Sequence, residues 1–225
     1  MISIALKFMK KIIDLFGCEI KFVNTFKILG RRKYKLEKYD YIFMDRLGAN
    51  ASRNSKDYFD AVMSEIGLNL NHTMFSYNQW GKPYICGQRL NFSISHSQKI
   101  ICLAITTSSS IGIDCESMIE REKFLEFARR FFTRNEYQLI HKSKKPLEKF
   151  YYIWCSKEAL LKYYGVGLMF PLNSFDVTRE KKIESDQFEV DCPIFRYIGT
   201  HLKCKVVSFS QKPLQVVKGK LNKSM

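Results

Sequence analysis

Apolar residues recur along this chain with two different spacings, and the switches between them outline its elements. Tyr58, Phe59, Val62, Met63 and Ile66 sit three and four apart, after a polar stretch at 50–55 that offers an N-cap and before Gly67. That pattern predicts a helix over 55–66. A longer helical stretch covers 147–164 and stops at Gly165-Val166-Gly167, with shorter ones at 121–131 and 135–141. Short apolar or alternating runs read as strands at 90–95, 100–106, 111–116, 175–177, 187–190 and 201–209. Trp80-Gly81-Lys82-Pro83 is turn material, and 96–99 joins two strands. Upstream, 4–16 and 20–29 are compatible with a helix and a strand, the second broken by Gly30. Each half of the chain thus offers one long helix and several strands. The expected class is α+β, a pattern compatible with a duplication although no repeat of residues is visible.

Composition narrows the possibilities. With 46% hydrophobic residues, 11 Gly and 5 Pro in 225 residues, the chain can build a core and is neither collagen-like nor low-complexity. No apolar run approaches the ~20 residues of a membrane span. Lysines interrupt the apolar start, Met1 to Lys11, where a secretion signal carries none, so a cytoplasmic protein is expected. Seven cysteines at 18, 86, 102, 115, 155, 192 and 204 form no CxxC and no zinc spacing. They fit reduced thiols acting as small core residues. Lys and Arg number 37 against 22 Asp and Glu, a net charge of +15 that divides as +8 over 1–113 and +7 over 114–225. An excess spread this evenly predicts attraction to an anionic partner, or serves solubility alone.

Four motifs carry chemistry. In Asp114-Cys115-Glu116 the two carboxylates share one face of a strand. Like charges that close favour a cation between them, and oxygen ligands suit Mg²⁺; two solvated acids at a strand end are the plain alternative. In Trp154-Cys155-Ser156-Lys157-Glu158-Ala159-Leu160-Leu161-Lys162, helical spacing puts Glu158 and Lys162 on one face with Trp154 and Leu161. They are either an ordinary i,i+4 pair or a third carboxylate and an amine facing a site. Phe92-Ser93-Ile94-Ser95-His96-Ser97 ends a strand with hydroxyls and an imidazole, a phosphate cradle or a capped turn. Gly81-Lys82-Pro83 combines a close backbone approach, a stiff turn and a point charge.

In their order and spacing these motifs, together with Phe131-Phe132-Thr133-Arg134-Asn135-Glu136, resemble the 4′-phosphopantetheinyl transferases of the Sfp type over about residues 80–177. The resemblance implies that family's fold: two similar α/β subdomains, 1–113 and 114–225, in a pseudo-twofold arrangement with the site at their junction. It also implies a reaction: transfer of the phosphopantetheine arm of coenzyme A to a serine of an apo acyl or peptidyl carrier protein, releasing adenosine 3′,5′-bisphosphate. On that resemblance Asp114, Glu116 and Glu158 would hold Mg²⁺, or Mn²⁺, against the pyrophosphate. Lys162 would steady the phosphates and help the leaving group. Ser95 and His96 would take the 3′-phosphate, with Arg53 a looser candidate, and Lys82 and Pro83 would flank the adenine end. Glu158 is a candidate base. Ser93 stands where the family more often has Asn, and Cys115 where it usually has an aliphatic residue. The family's carriers are acidic, which a +15 surface would attract, and a monomer is expected.

Two further readings compete. Basic and aromatic residues around 21–41 suggest a nucleic-acid-binding protein, but that reading gives no reason for the three carboxylates, so no nucleic acid is expected. A carrier-binding protein without activity would not need Asp114, Glu116, Glu158 and Lys162 together.

Overall fold

A computed structural model of the chain describes residues 34–47, 55–108, 110–167, 170–178 and 195–218. Arg53, Cys18, Cys192 and the elements expected at 4–16, 20–29 and 187–190 lie outside the described residues.

The first described element is a strand that the hydrophobic pattern does not single out, β1 (Asp40–Arg46), whose first five residues are all buried. Helix α1 (Ser55–Ile66) follows and buries Phe59, Val62, Met63 and Ile66. Next come a short hairpin of β2 (Phe75–Tyr77) and β3 (Pro83–Ile85), then β4 (Asn91–His96), β5 (Ile100–Thr106) and β6 (Ile111–Ser117). Three helices follow: α2 (Phe124–Phe131), α3 (Arg134–His141) and α4 (Pro146–Tyr164). The described chain ends in β7 (Phe195–His201), β8 (Cys204–Ser210) and β9 (Leu214–Lys218).

The single strand expected at 201–209 is instead the turn and second arm of a hairpin. Leu202 and Lys203 take positive φ, 49° and 61°, and reverse the chain. Such a turn ordinarily uses Asn or Gly, so the residues give no signal. At 175–177 a 3₁₀ turn (Leu172–Ser174) precedes one bridging residue, and no strand forms.

One strand–helix–hairpin unit occurs twice. In the first half β1, α1 and the β4–β5 hairpin give strand order β4-β5-β1; in the second, β6, α4 and the β7–β8 hairpin give β7-β8-β6. All these neighbours are antiparallel. β9 then returns to lie parallel to β1, so the last described strand completes the first sheet. The division expected between residues 113 and 114 falls inside β6.

Alternation along the strands sorts the core into three layers. Leu103 and Ile105 of β5 pack with Tyr41 and Phe43 of β1 under α1. Ile100, Cys102 and Ala104 face the other way, against Ile111, Ile113 and Cys115 of β6 and Val206 of β8, so the sheets share an apolar interior. Val207 and Phe209 meet α4 on the far side. The free cysteines 102, 115, 155 and 204 are buried, in keeping with core thiols, and Cys86 is exposed. Among the described residues no helix is long and apolar enough to cross a membrane.

β6 is an edge strand, and its outward amides are met by side chains. The Ile113 N–H donates to Ser93 Oγ (3.1 Å) and the Cys115 N–H to Ser95 Oγ (3.3 Å), both on β4. On its other face β6 meets α4 at Gly112. A β-carbon there would fall inside the van der Waals radii of the Ala159 carbonyl oxygen and the Tyr163 backbone. Neither neighbour can yield without moving the helix. Gly112→Ala should therefore lower the unfolding free energy in urea by about 3 kcal/mol; an unchanged midpoint would contradict the close approach.

Candidate active site

The period of two that places Ile111, Ile113 and Cys115 between the sheets turns Gly112, Asp114 and Glu116 towards α4. Because α4 touches the backbone at Gly112, residues beside that contact come within reach of the acids. Lys162 Nζ lies 2.8 Å from Asp114 Oδ1 and donates to Ser95 Oγ at 3.0 Å. Ser95 Oγ–H donates to the same Asp114 oxygen at 2.9 Å. Three elements, β4, β6 and α4, thus converge on one carboxylate. The other oxygen, Asp114 Oδ2, is buried with no hydrogen-bond partner among the described residues, and so is Glu158 Oε1.

The electrostatics follow from this crowding. Burial, then the negative charge of Asp114, push the Glu158 carboxyl up to about 7; Lys162 opposes this and Glu116 adds to it. Glu116 is raised for the same two leading reasons, with Arg121 opposing. Burial pulls the Lys162 ammonium down, but the charge and hydrogen bond of Asp114 and the charge of Glu158 outweigh it, and its pKa is raised. The acids resist ionising together and Lys162 is held protonated.

Such a set suits a hard cation by the chemistry of its donors: among the described residues two buried carboxylate oxygens lack a partner, and the charge of Asp114 raises both Glu158 and Glu116. Among the described residues no group of three His, Cys, Asp or Glu side chains is already drawn into metal-binding geometry. Lys162 supplies the positive charge at Asp114.

The remaining expected residues have diverse placements. Beside Lys162 opens a cleft of about 190 Å³ lined by Trp80, Lys82, Pro83, Ile94 and Gly165, among others. Lys82 turns its ammonium inward, to the carbonyls of Ile111 (3.2 Å) and Tyr163 (3.3 Å), and burial brings its pKa down to about 8. His96 ends β4 exposed to solvent, and Ser95 is buried. The expectation that Ser95 offers its hydroxyl to a phosphate meets a hydroxyl already engaged with Asp114 and Lys162.

Two groups in the surroundings were not anticipated. Asn78 accepts the N–H of Trp80 and of Lys82 on Oδ1 (2.9 Å each) and donates from Nδ2 to the Gly165 carbonyl at 2.8 Å. It ties the 78–82 turn to the end of α4. An Asn three residues before a Gly is the only cue in the residues. Lys157, next to Glu158, is wholly buried and pairs with Glu136 at 2.8 Å while donating to the carbonyls of Leu172 and Phe175. Glu136 also closes the capping box with Thr133 and accepts the Val177 N–H. Burial lowers the Lys157 pKa and raises that of Glu136, each against the pull of its partner. This pair anchors the back of α4, leaving Glu158 and Lys162 to the front.

Comparison with known proteins agrees with the motifs. The family model described as the 4′-phosphopantetheinyl transferase superfamily matches residues 110–212, which carry the acids and Lys162. The chain is 38% identical over 155 residues to 4′-phosphopantetheinyl transferase ffp of Bacillus subtilis, covering 68% of this chain and 64% of that protein. It is 33% identical over 155 residues, with the same coverage, to 4′-phosphopantetheinyl transferase Sfp of Bacillus subtilis strain 168. A further 4′-phosphopantetheinyl transferase of Bacillus subtilis is 37% identical over 121 residues, 52% of each chain. The chain thus spans between half and two thirds of the length of these curated relatives. Among solved structures, the holo-[acyl-carrier-protein] synthase of Thermotoga maritima matches at 19% identity and a TM-score of 0.33 over 46% of this chain and 63% of that one, too slight a likeness to carry an argument. With the family match on residues 110–212, which bear the site, and relatives of 33 and 38% identity over 68% of its length, the chain is similar to the 4′-phosphopantetheinyl transferases, those of the Sfp type among them.

Proposed function

We propose that this protein transfers the 4′-phosphopantetheine arm of coenzyme A to a serine hydroxyl of an apo carrier protein, giving the holo-carrier and adenosine 3′,5′-bisphosphate. The observation that carries the reading is the pair of buried carboxylate oxygens, Asp114 Oδ2 and Glu158 Oε1, without partners among the described residues and beside a protonated lysine.

Asp114, Glu158 and Glu116 would hold one Mg²⁺, with Mn²⁺ an acceptable substitute for the same oxygen set. When bound, the ion would neutralise charge on the pyrophosphate of coenzyme A. The chain's own residues do the rest. Lys162 lines the cleft at the end nearest Asp114, where its ammonium can meet phosphate oxygens and offset charge on the departing bisphosphate. Glu158 is the candidate base for the proton of the incoming serine hydroxyl. His96 stands exposed at the end of β4, where it can meet the 3′-phosphate; Arg53 is the looser candidate for the same group. Pro83 on the cleft wall would face the adenine end, and Lys82 would act there by bracing the turn. No step needs a protein nucleophile, and the buried cysteines have no part in it. The net charge of +15 would draw an acidic carrier by steering. A cytoplasmic monomer fits a single chain in which both sheet units contribute to one site.

Incubation of the protein with coenzyme A, Mg²⁺ and an apo acyl carrier protein should add one phosphopantetheine to the carrier's intact mass, and EDTA should abolish the gain. No gain with acyl and peptidyl carriers alike would overturn the proposal. Asp114→Ala should lower transfer by about a thousandfold or more with its circular dichroism unchanged; wild-type rates would remove Asp114 from the site.

Glu158 also predicts a stability effect independent of activity. Its folded pKa, about 7, lies above that of an ordinary Glu, so the folded state holds the extra proton between those values. Stability contributed by this group therefore falls as pH rises through that window, and the cost is complete above pH 7. In EDTA, Glu158→Gln should melt higher than wild type at pH 8 and lose that advantage near pH 4. Equal melting temperatures at pH 8 would contradict the raised carboxyl.

A further inference from the structure

Away from the acids, lysines gather around a second cavity. Beside the N-terminal half of α4 lies a hollow of about 380 Å³, lined by Lys144, Lys145, Glu148, Lys149, Tyr152 and Lys205, among others. It shares no lining residue with the cleft next to Lys162. Glu148 precedes Glu158 on the same helix by ten residues, so about 15 Å of helix separates the hollow from the acids.

Four lysines against one glutamate leave an excess of three positive charges on its walls. The one carboxylate is already shared. Glu148 Oε1 accepts from Lys205 Nζ at 3.0 Å, and Oε2 lies 3.8 Å from Lys145 Nζ. The hydrogen bond and charge of Lys205 hold the Glu148 carboxyl below its ordinary range, so it is ionised and still outnumbered. Among the described residues neither Lys144 nor Lys149 forms an ion pair. The Lys149 ammonium rests over the Tyr152 ring at 5.3 Å, and Arg196 lies 5.9 Å from the centre of the same ring. Lys205 is buried and places two of its three N–H groups, on Glu148 and on Thr200 Oγ1 (3.0 Å).

Cations held this close repel one another unless an anion lies among them. Lysines are point charges with rotatable donors, which suits them to phosphate oxygens. The hollow also falls within the ~300–1,000 Å³ of small-molecule sites, larger than a single ion needs. We propose that it binds a diphosphate group, an anion whose charge balances the excess in the walls, either free or as part of a nucleoside diphosphate. This site stands apart from the coenzyme cleft and does not rest on the transferase reading.

Calorimetric titration of the full-length protein with inorganic pyrophosphate, and separately with ADP, tests the proposal. EDTA leaves the acids beside Lys162 without a cation, which disfavours a diphosphate there. Both anions should bind at millimolar concentrations or below. Replacing Lys144→Ala and Lys149→Ala together should weaken binding about tenfold or more, and Glu148→Gln should strengthen it. Lys144→Gln with Lys149→Gln keeps the long side chains should the alanines disturb α4, and should show the same loss. Lys162→Ala should leave the affinity within about twofold of wild type, being a distant site. ADP binding tighter than pyrophosphate, with the same dependence on Lys144 and Lys149, would assign the site to a nucleoside diphosphate; ADP binding no tighter would assign it to the diphosphate group alone. Binding lost in Lys162→Ala but kept in the double variants would overturn the proposal, because the anion would then lie in the cleft. So would failure of both anions to bind the wild-type protein.

Discussion

Helix α4 lies against β6 with no side chain between them at Gly112, and the site depends on that contact. A β-carbon there would lift the helix from the strand and take Lys162 away from Asp114, whose present separation is 2.8 Å. Because side chains alternate along a strand, the residue that permits the approach and the two acids that use it are necessarily on one face. Gly112, Asp114 and Glu116 are therefore one functional unit, two residues apart. The opposite face of the same strand, Ile111, Ile113 and Cys115, closes the interior between the sheets.

The same close approach concentrates charge. Two carboxyls, Glu158 and Glu116, are held above their ordinary range by burial and by Asp114. Lys162 offsets part of the repulsion but reaches only one oxygen of Asp114. A fold that kept these groups for stability alone would pair them, as it pairs Lys157 with Glu136 one residue away from Glu158. There the oxygens of Glu136 bond the Thr133 and Val177 amides and Lys157. The contrast between the satisfied pair behind α4 and the unsatisfied acids in front of it distinguishes an anchor from a site.

Much of this was legible from residues alone. Period-two spacing puts Asp114 and Glu116 together, and helical spacing puts Glu158 and Lys162 on one stripe. The helices at 55–66 and 146–164 stand where the apolar pattern and the closing glycines place them. What stayed hidden depends on tertiary contact. β1 is buried along both faces and so lacks alternation. The turn at Leu202 and Lys203 has a left-handed backbone without the residues that usually mark one. The direction of the Ser95 hydroxyl and the inward turn of the Lys82 ammonium depend on partners 19 or more residues away. The twofold repeat of strand, helix and hairpin shows in strand adjacency, with no matching repeat of residues.

The central claim is that the acids beside α4 are poised for a divalent cation. Calorimetric titration of Mg²⁺ into the protein with coenzyme A, in two buffers of different ionisation enthalpy, counts the protons released per ion bound. With Glu158 near 7, binding at pH 7 should release about half a proton or more per ion, falling towards zero above pH 8.5. Mg²⁺ binding with no proton release at pH 7 would contradict the account, because the ion would then be held somewhere other than on these carboxylates.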